Sequence, residues 1–136
     1  MTLKIRAYTP DDFATVEQWA KARGMVLIPQ LLGKNGFLIE DDKGPILTAF
    51  VYLIFDCPIV QIDHLMGRPG SSITSMRAAW DVMQSAICRW VDGVNKSGGY
   101  DYRLFRCFTS EEIAHEAVKK GWLMDGGELK CIRYAL

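Results

Sequence analysis

Nine apolar residues, Met76, Ala79, Trp80, Met83, Ala86, Ile87, Trp90, Val91 and Val94, fall on one stripe at helical spacing. They predict a long amphipathic helix with a buried face, closed by Ser97-Gly98-Gly99. Ahead of it lie strands. Pro45 to Phe55 is rich in β-branched and aromatic residues and apolar on both sides, which suits a central strand. Phe37 to Glu40 precedes it across Asp41-Asp42-Lys43-Gly44, a hairpin turn by composition. Cys57-Pro58 breaks the run, and Ile59 to Asp63 resumes as a further strand. A Gly/Pro/Ser loop over His64 to Ser75 then leads to the helix.

The flanks obey the same logic. Leu3 to Ala7 alternates as a first strand. Thr9 is a candidate N-cap, with Pro10 at the first helical position, Asp11 and Asp12 in the first turn, and Gly24 as the stop. Met25 to Gly36 is apolar but interrupted by Pro29 and Gly33, a partly helical flap. Beyond the long helix, Arg103 to Phe108 reads as a strand. Thr109-Ser110-Glu111-Glu112 has capping-box form and opens a short helix to Lys120. Glu128 to Ala135 alternates as a final strand.

The 136 residues fit one domain over residues 1–136. Lys plus Arg number 16 and Asp plus Glu 16, so no basic excess exists to attract polyphosphate, and nucleic acid is not an expected partner. The longest apolar run covers about half a bilayer, and the alternating amino terminus is unlike a signal peptide. A cytoplasmic protein with no membrane partner is expected. The four cysteines, Cys57, Cys88, Cys107 and Cys131, form no CxxC pair, which predicts buried free thiols and no metal site. The tryptophans Trp19, Trp80, Trp90 and Trp122 sit at core spacings.

The order strand, helix and flap, three strands, loop, long helix, strand, short helix, strand resembles the GNAT superfamily of acyl-CoA N-acyltransferases from end to end. Ile5-Arg6-Ala7-Tyr8-Thr9-Pro10-Asp11-Asp12-Phe13 is similar to the opening common in that superfamily, and Ala117-Val118-Lys119-Lys120-Gly121-Trp122 to the ending of its fourth helix. Ile28-Pro29-Gln30-Leu31-Leu32, running through Gly36-Phe37-Leu38-Ile39-Glu40-Asp41-Asp42, resembles small GNAT-like proteins of bacteriophages. The resemblance implies an α/β fold with a mixed, mostly antiparallel sheet of six to seven strands flanked by about four helices.

It also implies a chemistry. Acetyl-CoA would be the cosubstrate and an amine, on a small molecule or a peptide, the acceptor. Members of the family hold the pyrophosphate on backbone N–H groups between the fourth strand and the long helix, where helix geometry leaves donors unpaired and the dipole favours an anion. Here that stretch contains Arg68, Gly70, Ser71 and Ser72, at a spacing that departs from the family's pattern. A surface loop with a serine cap is the other reading of the same residues. Ile62, in the fourth strand, would face the pantetheine, and Thr109 and Ser110 would border its channel; helix capping is the alternative for that pair. Asp63 or His64 would accept the ammonium proton, directly or through water. The tyrosine that many members use to protonate the departing thiolate is replaced by Ala117. A catalytically inactive GNAT-shaped protein that binds a protein partner is therefore the competing expectation.

Overall fold

The computed structural model describes residues 2–124. Five strands are hydrogen-bonded in chain order: β1 (Lys4–Ala7), β2 (Gly36–Asp41), β3 (Gly44–Leu53), β4 (Ile59–Gly67) and β5 (Leu104–Cys107). The first four are antiparallel neighbours, while β5 runs parallel to β4. Such a parallel pair needs a long crossover. That crossover is helix α2 (Ile73–Gly98), whose apolar stripe covers one sheet face. Ala79, Met83, Ile87 and Val91 are buried there against Ile39, Leu47, Ala49, Val51, Val60 and Ile62. Burying one such large side chain contributes roughly 1.5–3 kcal/mol.

The opposite face is built by α1 (Phe13–Lys21), where Val16, Trp19 and Ala20 pack with Leu27 and Met66. A single 3-10 turn, Pro10–Asp12, leads into α1, and a second, Pro29–Leu31, lies in the flap. Helix α3 (Glu111–Val118) comes after β5. Gly24 takes φ +68° behind α1, the left-handed conformation that lets the Met25 N–H return to the Ala20 carbonyl.

The entry to α1 is fastened by charge. The Asp12 carboxylate receives two guanidinium N–H groups of Arg6, at 2.7 and 2.8 Å, and the Thr9 backbone N–H at 2.8 Å. Arg6 Nε donates to Glu40 at 2.8 Å, so one cation ties β1 to β2 and to α1. Thr9 does stand at the cap position, but the capping oxygen belongs to Asp12.

Several expectations are corrected. Among the described residues the sheet has five strands and the α-helices number three, against six to seven and about four. The expected strand 128–135 and Cys131 lie outside the described residues. Strand β4 runs four residues further than Ile59–Asp63, absorbing His64 to Gly67, because β3 continues to offer it a partner. The cap of α3 is Ser110 and not Thr109. Cys88 is exposed on α2 rather than buried, while Cys57 and Cys107 are partly buried. No described helix is long and apolar enough to cross a membrane.

The Arg6 pair holds the Asp12 carboxyl below its ordinary value of 3.8, through the Arg6 hydrogen bonds first. A depressed carboxyl stabilises the fold above its unfolded value and loses that contribution as pH falls. Asp12→Asn should cost about 1–3 kcal/mol in urea unfolding at pH 7. The deficit relative to wild type should shrink as pH falls below about 4, where the wild-type carboxyl also becomes neutral.

Candidate functional site

Strands β4 and β5 pair only from Ile59–Leu104 to Ile62–Cys107. Beyond that point β4 continues through Asp63 to Gly67 while β5 ends, which leaves that flank of β4 without a strand partner among the described residues, a wedge at the end of the pair. Its origin is a bulge. Thr48 pairs with Met66 and Phe50 with Asp63, leaving His64 and Leu65 together opposite Ala49. Two residues against one bend and twist the strand that carries them. His64 sits in the left-handed region, φ +49°, and its N–H is satisfied by the Asp63 carboxylate at 2.8 Å. Its ring meets Phe50 edge-on at 5.9 Å.

The wedge leads to a loop of five residues, Arg68 to Ser72, in place of the longer one expected. Ser72 caps α2 by accepting from the Ser75 N–H at 3.1 Å. Gly70 has φ +79°, and the Ser71 N–H closes a turn on the Arg68 carbonyl. The N–H groups of Gly70, Ser72, Ile73 and Thr74 have no partner among the described residues, and neither does the buried Ser71 hydroxyl. The loop is held in place from three directions. The Arg68 N–H donates to Ile46 at 2.8 Å, the Arg68 guanidinium pairs with Asp41 at 2.5 Å, and Arg23 reaches from the end of α1 to the Gly67 carbonyl at 2.7 Å. A cleft of about 480 Å³ adjoins the loop, walled by Asp41, Asp42, Lys43 and Ile46 from the hairpin side. Its walls take nothing from β5, so it flanks the wedge instead of filling it.

Strand alternation sorts the wedge's side chains. Val60, Ile62, Phe105 and Cys107 turn toward α2, whereas Gln61, Asp63 and Arg106 turn to the face away from it. Gln61 accepts from Arg106 Nε at 2.8 Å, and the Arg106 guanidinium lies 5.5 Å from the Phe108 ring centre. Tyr52 stands opposite Gln61 across the β3–β4 ladder. Its hydroxyl accepts the Gly33 N–H at 3.1 Å, drawing the flap onto this face, and a Cβ on Gly33 would lie 2.8 Å from the Tyr52 ring. Burial, with a smaller contribution from the Asp63 charge, raises the Tyr52 hydroxyl above its ordinary pKa.

The expected site residues thus divide. Asp63 and Ile62 stand at the fork of the wedge, and Gly70, Ser71 and Ser72 form the loop beyond it. The His64 ring is against Phe50, Arg68 is engaged by Asp41, and Ser110 caps α3 by accepting from the Ile113 N–H at 3.5 Å. Thr109 is exposed beside it. Ala117 offers only its backbone carbonyl, to Lys120 and Trp122. Gln61, Tyr52 and Arg106 are additions. Their meeting depends on strand register, which the local sequence does not display.

A five-stranded mixed sheet, a bulged fourth strand parting from a parallel fifth, and an amide-bearing loop opening the long helix define a known architecture. The fold is that of the GNAT acyltransferases. A GNAT-family acetyltransferase from Streptococcus pneumoniae superposes with a TM-score of 0.63 at 12% identity, covering 98% of each chain. A predicted acetyltransferase from Clostridium acetobutylicum, solved with acetyl-CoA, gives 0.60 at 14% identity, covering 96% of each. The N-acetylglutamate synthase of Neisseria gonorrhoeae, complexed with coenzyme A and N-acetyl-glutamate, gives 0.62 at 11% identity over 88% of this chain. This chain spans only 28% of that synthase's length. No protein-family model and no curated protein matches the sequence.

Burial, with the Asp63 charge adding to it, pushes the Cys107 thiol up to about 12. It is therefore neither a thiolate nucleophile nor a base at neutral pH. Iodoacetamide at pH 8 should alkylate the exposed Cys88 at least about tenfold faster than Cys107, read by peptide mass spectrometry.

Proposed function

We propose that the chain is an N-acyltransferase that takes acetyl-CoA in the β4–β5 wedge and transfers its acyl group to an amine. The observation that carries this reading is the parting of the two strands immediately before a loop of unpartnered N–H groups. The donor set suits a diphosphate. Gly70, Ser72, Ile73 and Thr74 supply amides and Ser71 a buried hydroxyl lacking a partner, and the α2 dipole adds a favourable field worth about 0.3–1 kcal/mol. Arg68 contributes through Asp41 by fixing the loop and not as a phosphate clamp. The backbone at Ile62 and along the bulged stretch of β4 would lie along the pantetheine arm, the Ile62 side chain being buried against α2, with Thr109 and Ser110 at its border.

The bound thioester supplies an activated acyl carbon. The residues of the chain hold the amine against it: the ammonium first gives one proton through water to the Asp63 carboxylate, the freed lone pair forms the C–N bond as the C–S bond breaks, and the nitrogen's second proton passes to solvent, which protonates the departing thiolate. No tyrosine stands at Ala117 to provide that last proton. Proximity and orientation then supply most of the acceleration, which in well-aligned systems reaches roughly 7–11 kcal/mol. His64 acts through its backbone, which sets the bulge. The acceptor enters from the face covered by the flap, where Tyr52 and Gln61 lie. Residues 1–136 act here as one domain, and the likeness of residues 28–42 to bacteriophage GNAT-like proteins belongs to the same proposal.

A second reading, a GNAT-shaped protein that binds a protein partner without catalysis, is favoured by one observation: the cleft beside the loop balances Lys43 and Arg68 against Asp41 and Asp42, leaving no net positive charge there for a phosphate.

Isothermal calorimetry with CoA and acetyl-CoA separates the two. Micromolar binding is expected. Gly70→Glu should abolish it by placing a carboxylate among the loop amides. Gly70→Ala, which carries the same left-handed backbone strain without the charge, should retain most of it. Absence of binding at millimolar ligand defeats the acyltransferase reading and favours the partner-binding one.

A further inference from the structure

Arg106 is held in place and yet electrically unmatched. Arg6, Arg68, Arg77 and Arg103 each pair with a carboxylate, whereas Arg106, like Arg23 and Arg89, meets none among the described residues. Its position is nevertheless fixed. The Gln61 amide nitrogen donates to the Ile62 carbonyl at 3.3 Å, which turns its oxygen toward Arg106 Nε. Gln61 is itself buried, an uncommon place for a carboxamide whose hydrogen bonds are not all used. The Phe108 ring supports the guanidinium from the side. Nε is thereby consumed, and both terminal nitrogens remain to donate. A guanidinium pre-set in this way loses less rotamer freedom when it captures a planar anion.

Asp63 lies on the same strand face two residues beyond Gln61, ~6.6 Å further along at ~3.3 Å per residue. Arg106 leans toward Phe108, hence toward the same mouth of the wedge. One face of the mouth therefore carries a carboxylate on β4 and, on the neighbouring strand β5, a cation with free donors. We propose that Asp63 and Arg106 form a charge-sorted acceptor subsite, and that the acceptor is a compact amine that also bears a carboxylate, of the amino-acid class. This deepens the acyltransferase reading and rests on it for the fate of the amine. Asp63 attracts the ammonium and repels the carboxylate, and Arg106 does the reverse. The zwitterion is thus oriented with its nitrogen at the fork, where the acyl carbon would be. A charge-assisted fork-to-carboxylate contact is about twice as strong as a neutral hydrogen bond, so an amine without the anion binds distinctly less well.

The test is direct binding, which needs no turnover. Saturation-transfer NMR would compare free amino acids with their α-carboxamides against the full chain, with CoA absent and present. Wild type should bind one or more of the acids at least about tenfold more tightly than the matching amide. Arg106→Gln should erase that preference, and Arg106→Lys, which keeps the charge but not the fork, should restore part of it. Arg106 is exposed, and a backbone amide spectrum checks that each variant keeps the fold. Equal binding of acids and amides, no binding of any acid, or an unchanged preference in Arg106→Gln overturns the subsite. CoA binding by the same samples is read separately. Acid-selective binding without any CoA binding sinks the acyltransferase reading and leaves the subsite standing.

Discussion

Opposite Ala49, strand β4 places two residues, His64 and Leu65, where β3 places one. That mismatch sets the path of the strand and the shape of the wedge beside it. A bulge adds local twist, and this one lies just beyond Ile62–Cys107, the last pair of the β4–β5 ladder. The conformation is not free: a non-glycine residue in the left-handed region costs on the order of 1 kcal/mol. Asp63 offsets part of this by accepting the His64 N–H with its own side chain. The carboxylate at the fork is thus the clamp on the bulge. The short loop beyond has the same origin, since the strand takes up residues that would otherwise belong to it.

Much of the scaffold was legible because it is written in periodicity. The α2 stripe, the apolar β3 run and the Asp41–Gly44 hairpin each announce themselves within a window of a dozen residues, and each is present. The misreadings share a cause. The continuation of β4 through His64 to Gly67 looks like loop because glycine and histidine are poor local strand signals, and only the presence of β3 alongside makes it a strand. That Arg68 also pairs with Asp41, 27 residues earlier, cannot be read from the loop that carries it. The Gln61–Arg106 contact spans 45 residues and exists only in the parallel register. Local sequence predicts elements; it is silent on which charged side chains meet across them.

The distribution of charge also explains why a chain of zero net charge has a polarised site. Two ion-paired guanidinium groups serve the architecture beside Arg23: Arg6 joins two strands to the first helix, and Arg68 joins the hairpin to the loop. Their partners are carboxylates held low by those contacts, Asp12 and Asp41 alike. What is left at the wedge is a pair of opposite charges separated along one face. The field there is local and directional, of the kind that would order a small zwitterion more than attract a long polyanion.

Arg23 joins two segments that the chain order keeps far apart. One of its guanidinium nitrogens donates to the Trp19 carbonyl near the end of α1, and another donates to the Gly67 carbonyl at the end of β4. Arg23 lies two residues before the flap begins, and Gly67 immediately precedes the loop. In the proposed reaction the acceptor and the acyl donor would be handled by the flap and the loop, segments that would otherwise be mechanically independent and that here share one hinge pin. Displacing the flap would load the strand end from which the loop amides project, because the Arg23 side chain that follows α1 is bonded to the Gly67 carbonyl.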